Sequence, residues 1–175
     1  MQQAVPAGIG SMAAILGMEA AGIEAVLADL KEVQIANYNC PGQIVISGKK
    51  EAVELAGEKL KGAGAKRVIP LNVSGPFHSG MLSEAGKELG KALEGVELHP
   101  LKIPYVANVT ADYVTDRNEI KGLLEKQVSH SVRWQQSVET MLSHGVDTFI
   151  EIGPGKTLSG FMKKISRNVK TVNIE

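Results

Sequence analysis

Cysteine is nearly absent from this chain of 175 residues: Cys40 stands alone, which excludes an internal disulfide and a multi-cysteine metal cluster and fits a reducing compartment. Neither sign of charge is in excess, with 19 Lys plus Arg against 19 Asp plus Glu. There is thus no basic field to draw nucleic acid and no acidic tail. No apolar run approaches the ~20 residues that cross a bilayer. Met1 to Gly10 has no positive segment leading into a continuous apolar stretch, so no secretory signal is expected and the cytoplasm is the default location. A Gly-x-Ser-x-Gly elbow, the sharp turn that exposes a serine nucleophile, occurs nowhere. What is present is a hydrophobic content of 43%, enough for one packed domain or two small ones sharing an interface.

Met1 to Ser11 has no clear period and reads as a linker. Met12 to Leu16 predicts a strand, and Ile23, Val26, Leu27 and Leu30 recur at helical spacing within Glu19 to Leu30. Val33 to Asn39 and Gln43 to Ser47 are β-rich runs on either side of Pro41-Gly42, a turn signal. Glu51 to Ala63 puts Val53, Leu55, Ala56 and Leu60 on a helical face, and Arg67 to Val73 is extended again. The order βαββαβ over residues 12–72 predicts a ferredoxin-like unit, an antiparallel sheet with two helices on one face. Residues 73–175 follow a different grammar. Helical patterns at Met81 to Leu93, Ile120 to Val128, Val132 to Ser143 and Thr157 to Ile165 alternate with extended runs at Ile103 to Val109, Phe149 to Ile152 and Val169 to Ile174. That alternation is the signature of a parallel α/β sheet. Three strands are few for a sheet buried on both faces, so part of it is expected to lie outside the chain.

The junction Pro76-Phe77-His78-Ser79-Gly80-Met81 follows an apolar strand and enters a helix, a common position for a catalytic group in α/β folds. His78 is the candidate there, with a structural histidine as the alternative. Ser79 is a poor partner for it, because neighbours on a turning backbone point apart; it reads as a helix N-cap whose oxygen accepts from the Leu82 N–H. His144 precedes Gly145 at a helix end and suits a structural role against the dipole. His99 reads as solvated, and His130, before a helix, as a surface or capping residue. Cys40 has no adjacent cation and reads as a buried, inert thiol. Gly153-Pro154-Gly155-Lys156-Thr157 imitates a phosphate loop, but Ile150 stands where its first glycine belongs, so a tight turn and helix start are expected instead. Asn37 and Asn39, two apart on a strand, could face one bound polar group or could stabilise the following turn. Arg133-Trp134 reads most simply as a helix with its indole buried.

Taken together, Asn37-Tyr38-Asn39-Cys40-Pro41-Gly42-Gln43-Ile44-Val45-Ile46-Ser47-Gly48, Pro76-Phe77-His78-Ser79, Val132-Arg133-Trp134 and Glu151-Ile152-Gly153-Pro154-Gly155-Lys156 closely resemble the malonyl-CoA:acyl carrier protein transacylases of bacterial fatty-acid biosynthesis, in order and in interval. The resemblance spans essentially the whole chain. It implies an α/β-hydrolase-like large subdomain carrying an inserted ferredoxin-like small one, and an acyltransferase that needs no metal or redox cofactor. In that family a serine in a Gly-His-Ser-x-Gly elbow is acylated by malonyl-CoA and passes the acyl group to the phosphopantetheine thiol of acyl carrier protein. The general base matches His78, the carbonyl that orients it matches Gln127, and Asn37 and Asn39 match positions lining the cleft between subdomains.

The resemblance also implies that the family's serine elbow and its malonyl-binding arginine lie upstream of the segment matched by Met1. The chain is therefore expected to be the C-terminal half of a transacylase, as a truncated product or one piece of a two-chain enzyme, supplying the histidine base and transferring nothing alone. The alternative from another class is a non-catalytic module that binds an acyl carrier or a small ligand.

Overall fold

The computed structural model describes residues 5–6, 8–73 and 75–175. Residues 1–4 and 7 of the expected linker lie outside the described residues. Of the rest of that stretch, Val5 is buried against Leu82 and Val128, and Gly10 and Ser11 already belong to the first strand.

Four strands, β1 (Gly10–Leu16), β2 (Val33–Cys40), β3 (Gln43–Lys49) and β4 (Arg67–Pro70), form one sheet in the order β2-β3-β1-β4, every pair antiparallel. Helices α1 (Ala20–Leu27) and α2 (Lys50–Gly62) connect β1 to β2 and β3 to β4. The sequence dictates α2 plainly: Val53, Ala56, Gly57 and Leu60 are buried at i, i+3, i+4 and i+7, one stripe of a 3.6-residue period. That stripe meets Ile23 and Leu27 of α1 and Ala13, Ile15, Ile35, Ile44 and Ile46 of the sheet in the principal core. The opposite face is covered too, since Met12, Ala14, Ala36 and Val45 pack against Leu71 and Phe77. Strand β4 is shorter than the apolar run suggests. It stops at Pro70, and the Leu71 N–H makes one further bond, to the Met12 carbonyl at 2.9 Å.

The rest of the chain holds a short 3-10 turn (Gly80–Leu82), α3 (Ser83–Glu94), β5 (Tyr105–Ala107), β6 (Asp112–Val114), α4 (Arg117–Ser129), α5 (Trp134–Ser143), β7 (Thr148–Ile152), α6 (Thr157–Ile165) and β8 (Lys170–Ile174). The expected strand over Ile103 to Val109 shrinks to three residues, with Pro104 immediately before it and Ile103 exposed. It pairs with β6, which is too short to show a period of its own. Strands β7 and β8 are parallel neighbours joined through α6, the βαβ unit that the alternation predicts.

The two parts meet along β2. Val132 N–H donates to the Ala36 carbonyl at 2.7 Å and Tyr38 N–H donates to the Val132 carbonyl at 2.9 Å, while the Ser131 hydroxyl donates to the Ile35 carbonyl. The residues between α4 and α5 thereby add a short parallel bridge to that edge.

Candidate active site

Three anchors fix the segment around His78. The Phe77 side chain packs both on the second face of the four-stranded sheet and on the cluster of Val5, Leu82 and Val128. Ser79, fully buried, donates its hydroxyl to the Pro76 carbonyl at 2.7 Å. Leu82, also buried, ends the 3-10 turn and leads into α3. The serine therefore does not cap the helix through its side chain as expected; its backbone carbonyl receives the Leu82 N–H at 3.0 Å. With its proton committed to Pro76, Ser79 is not a nucleophile paired with His78.

His78 lies between these anchors with φ of 54°, a left-handed conformation that costs a non-glycine residue on the order of 1–2 kcal/mol. Surrounding structure must hold such a backbone in place. Its Nδ1 is 2.9 Å from the carbonyl oxygen of Gln127. A carbonyl only accepts, so Nδ1 carries the proton and Nε2 keeps its lone pair free. The partner carbonyl comes from the last turn of α4, where helical carbonyls lack intrahelical donors. Asp116 starts that helix by accepting from the Asn118 N–H at 2.9 Å, and α3 holds it close: a Cβ built on Gly86 would stand 2.9 Å from the Glu125 carbonyl oxygen.

Asn37 pairs with Val45, and directly opposed residues share a face. Asn37 is thus on the side of the sheet that Phe77 covers. Asn39 falls where the β2–β3 register shifts between Tyr38 and Cys40, so the simple alternation that aligns the two asparagines is broken at that point. Both are half-buried, and neither side chain has a hydrogen-bond partner among the described residues. The structure brings His78 and Gln127 into contact, and no hydrogen bond joins either asparagine to that pair among the described residues.

The remaining candidates have structural settings. Cys40 is buried, and burial pushes its thiol above the ordinary cysteine range, which weakens it as a nucleophile. His144 closes α5 with Nδ1 2.8 Å from the Thr140 carbonyl and meets Tyr113 edge-on. His130 is the exposed C-cap of α4, four residues before α5, with Nδ1 2.8 Å from the Lys126 carbonyl, a capping residue as expected. The turn before α6 is no phosphate cradle: Glu151 accepts from the N–H groups of Leu158 and Ser159, at 3.0 and 2.9 Å, and from the Ser159 hydroxyl. Those bonds, the hydroxyl's foremost, hold its carboxyl below the usual range. Trp134 opens α5 half-buried, its Nε1 without a partner among the described residues. No group of three or more His, Cys, Asp or Glu side chains suited to a metal occurs among the described residues, and no helix is long and apolar enough to cross a membrane.

Sequence reasoning missed Gln34. Its side-chain amide donates to the backbone carbonyls of His78, at 3.1 Å, and of Ser129, at 3.3 Å, and its oxygen accepts from the Gly80 N–H at 3.0 Å.

A family model for the acyl transferase domain matches residues 1–174. The chain belongs to that family. The malonyl CoA-acyl carrier protein transacylase of Bacillus subtilis (strain 168) is 48% identical to this acyl transferase chain over 178 residues, covering 99% of it and 56% of the relative. The enzyme of the same name from Staphylococcus aureus (strain MRSA252) is 45% identical, covering 100% and 58%. Among solved structures, an acyl carrier protein S-malonyltransferase from Vibrio cholerae superposes with a TM-score of 0.97 at 44% identity, over 100% of this chain and 58% of that one. A malonyl-transacylase in complex with its type II polyketide acyl-carrier protein superposes at 0.95 with 38% identity, over 99% and 57%. The chain thus spans a little over half the length of the relatives it matches.

Proposed function

We propose that this chain carries the base half of a malonyl-CoA:acyl carrier protein transacylase acting in cytoplasmic fatty-acid biosynthesis, with the serine nucleophile borne by the part of the family's length that the chain does not span. The observation that carries this reading is the Nδ1 contact of His78 with the Gln127 carbonyl, which leaves Nε2 free to take a proton. On this reading residues 12–72 form a ferredoxin-like small subdomain, and residues 73–175 the C-terminal part of an α/β-hydrolase-like large one, with residues 1–11 as the lead-in. The strand order β2-β3-β1-β4 supports the first assignment and the parallel β7–α6–β8 unit supports the second.

The chemistry follows from the free Nε2. A serine hydroxyl is a weak nucleophile until a base removes its proton. As its oxygen attacks the thioester carbon of malonyl-CoA, Nε2 of His78 takes the proton, and the imidazolium is stabilised by the Gln127 carbonyl at Nδ1. Collapse of the tetrahedral intermediate breaks the C–S bond, and the coenzyme A thiolate leaves with the proton that Nε2 returns. The second half reverses the roles: Nε2 takes the proton of the carrier protein's phosphopantetheine thiol, sulfur attacks the malonyl-serine ester, and the serine oxygen is reprotonated. Asn37 and Asn39 are the residues assigned to the substrate cleft.

The test is the intact mass of the purified chain after brief incubation with malonyl-CoA, with and without a separately made N-terminal half carrying the serine elbow. A malonyl adduct confined to the added half, and lost when His78→Ala is used, is the expected result. An adduct on the 175-residue chain alone would point to a different nucleophile, and no adduct in either mixture would favour a non-catalytic carrier-binding module.

A further inference from the structure

We propose that Gln34 is a positioning residue for His78, fixing through its side-chain amide both the backbone of the histidine and the helix end that orients its ring. The inference rests on His78 being the base. Gln34 is half-buried on β2 and is 44 residues from His78 and 95 from Ser129 in sequence. Its NH2 group nevertheless spans both backbone carbonyls, while its oxygen holds the Gly80 N–H. One planar amide thus ties three segments together: the edge strand of the sheet, the turn in which His78 holds a positive φ, and the last residue of α4, two residues beyond Gln127. The His78–Gln127 bond depends on the relative placement of the last two.

Few other groups could do this. Phe77 and Leu82 pin the turn from either side through apolar contact, which sets distance but not the orientation of a peptide plane. Ser79 bonds within the turn itself. Only a side chain with two donors and an acceptor in one plane makes all three of Gln34's contacts; glutamate offers the acceptor without the donors, and methionine offers neither.

The imidazole's proton position reports the effect directly and needs neither substrate nor a serine. In the full chain, at a pH where His78 is neutral, heteronuclear NMR of the ring nitrogens should show the proton on Nδ1. Gln34→Met should lose most of that population, and Gln34→Glu should do the same although it keeps the acceptor for Gly80. In both variants the amide fingerprint of β1, β3 and α2 should be unchanged, which separates loss of positioning from loss of fold. An Nδ1–H histidine retained in both variants, or in Gln34→Glu alone, would overturn the positioning role and leave the base assignment standing. An Nε2–H histidine in the unsubstituted chain would instead overturn the base assignment, and the positioning role with it.

Discussion

The four-stranded sheet and the β7–β8 pair are made from similar apolar strands, but they are covered differently. In the first, α1 and α2 bury one face while Leu71 and Phe77 bury the other, and the central strand β1 has Met12, Ala13, Ala14 and Ile15 all buried. In the second, Trp134 of α5 and Met162 of α6 line one small cavity with Phe149, whereas Ile150 is 56% exposed, Ile152 79% and Ile174 49%. Parallel strands are normally covered on both faces. The first region is closed on both faces; the second has an apolar face that no described residue covers. Stability and sensitivity to substitution should divide along the same line.

The sharpest way to test that division is a matched pair of truncations. Leu60→Ala removes a fully buried side chain from the closed core and should cost about 2–5 kcal/mol in denaturant unfolding. Ile152→Ala, on the open face, should stay within about 0.5 kcal/mol. Equal losses would mean that the pair is covered after all. A gain should be available on the open side: Gly160 lies within α6 with nothing near an added Cβ, so Gly160→Ala should raise stability by about 0.5–1 kcal/mol.

A smaller effect should appear at high pH where the two parts adjoin. Burial, together with the hydrogen bond to Glu24 at 2.8 Å and that residue's charge, pushes the Tyr38 phenol up to about 12, with Arg133 opposing. Since the folded value lies above the unfolded one of about 10, this contribution is complete below pH ~10 and is lost as pH rises through the folded value. Thermal unfolding between those limits should fall more steeply for the wild type than for Tyr38→Phe. The smallest effect is expected at Glu151, whose carboxyl is held low by Ser159 and the start of α6. Its stabilisation is present above the unfolded carboxylate value and fades as pH falls through the lower folded one. Glu151→Gln should therefore melt slightly below the wild type at neutral pH and match it in acid.

Much of the scaffold was legible because it rests on local periodicity. The stripe of α2 and the strand–turn–strand of β2 and β3 are dictated by residues a few positions apart, and α6 begins and ends where its pattern does. The failures have equally local causes. Proline precedes the short β5, and β6 is only three residues long. His78 was legible as a candidate from its place just before a helix, although β4 ends at Pro70 rather than directly before it. Gln127 was not, because it contributes a backbone carbonyl that any residue could present; resemblance alone pointed to it.

The sequence by itself determined most of the helices and the strands β1 to β3, that Cys40 would be buried, and that His78 would stand just before a helix. Only the tertiary structure decided the histidine's tautomer and its support by Gln34. Both depend on hydrogen bonds spanning 44 to 95 residues of chain. Periodicity reports which face of an element is buried, but a polar side chain reaching a distant backbone carbonyl has no period to betray it.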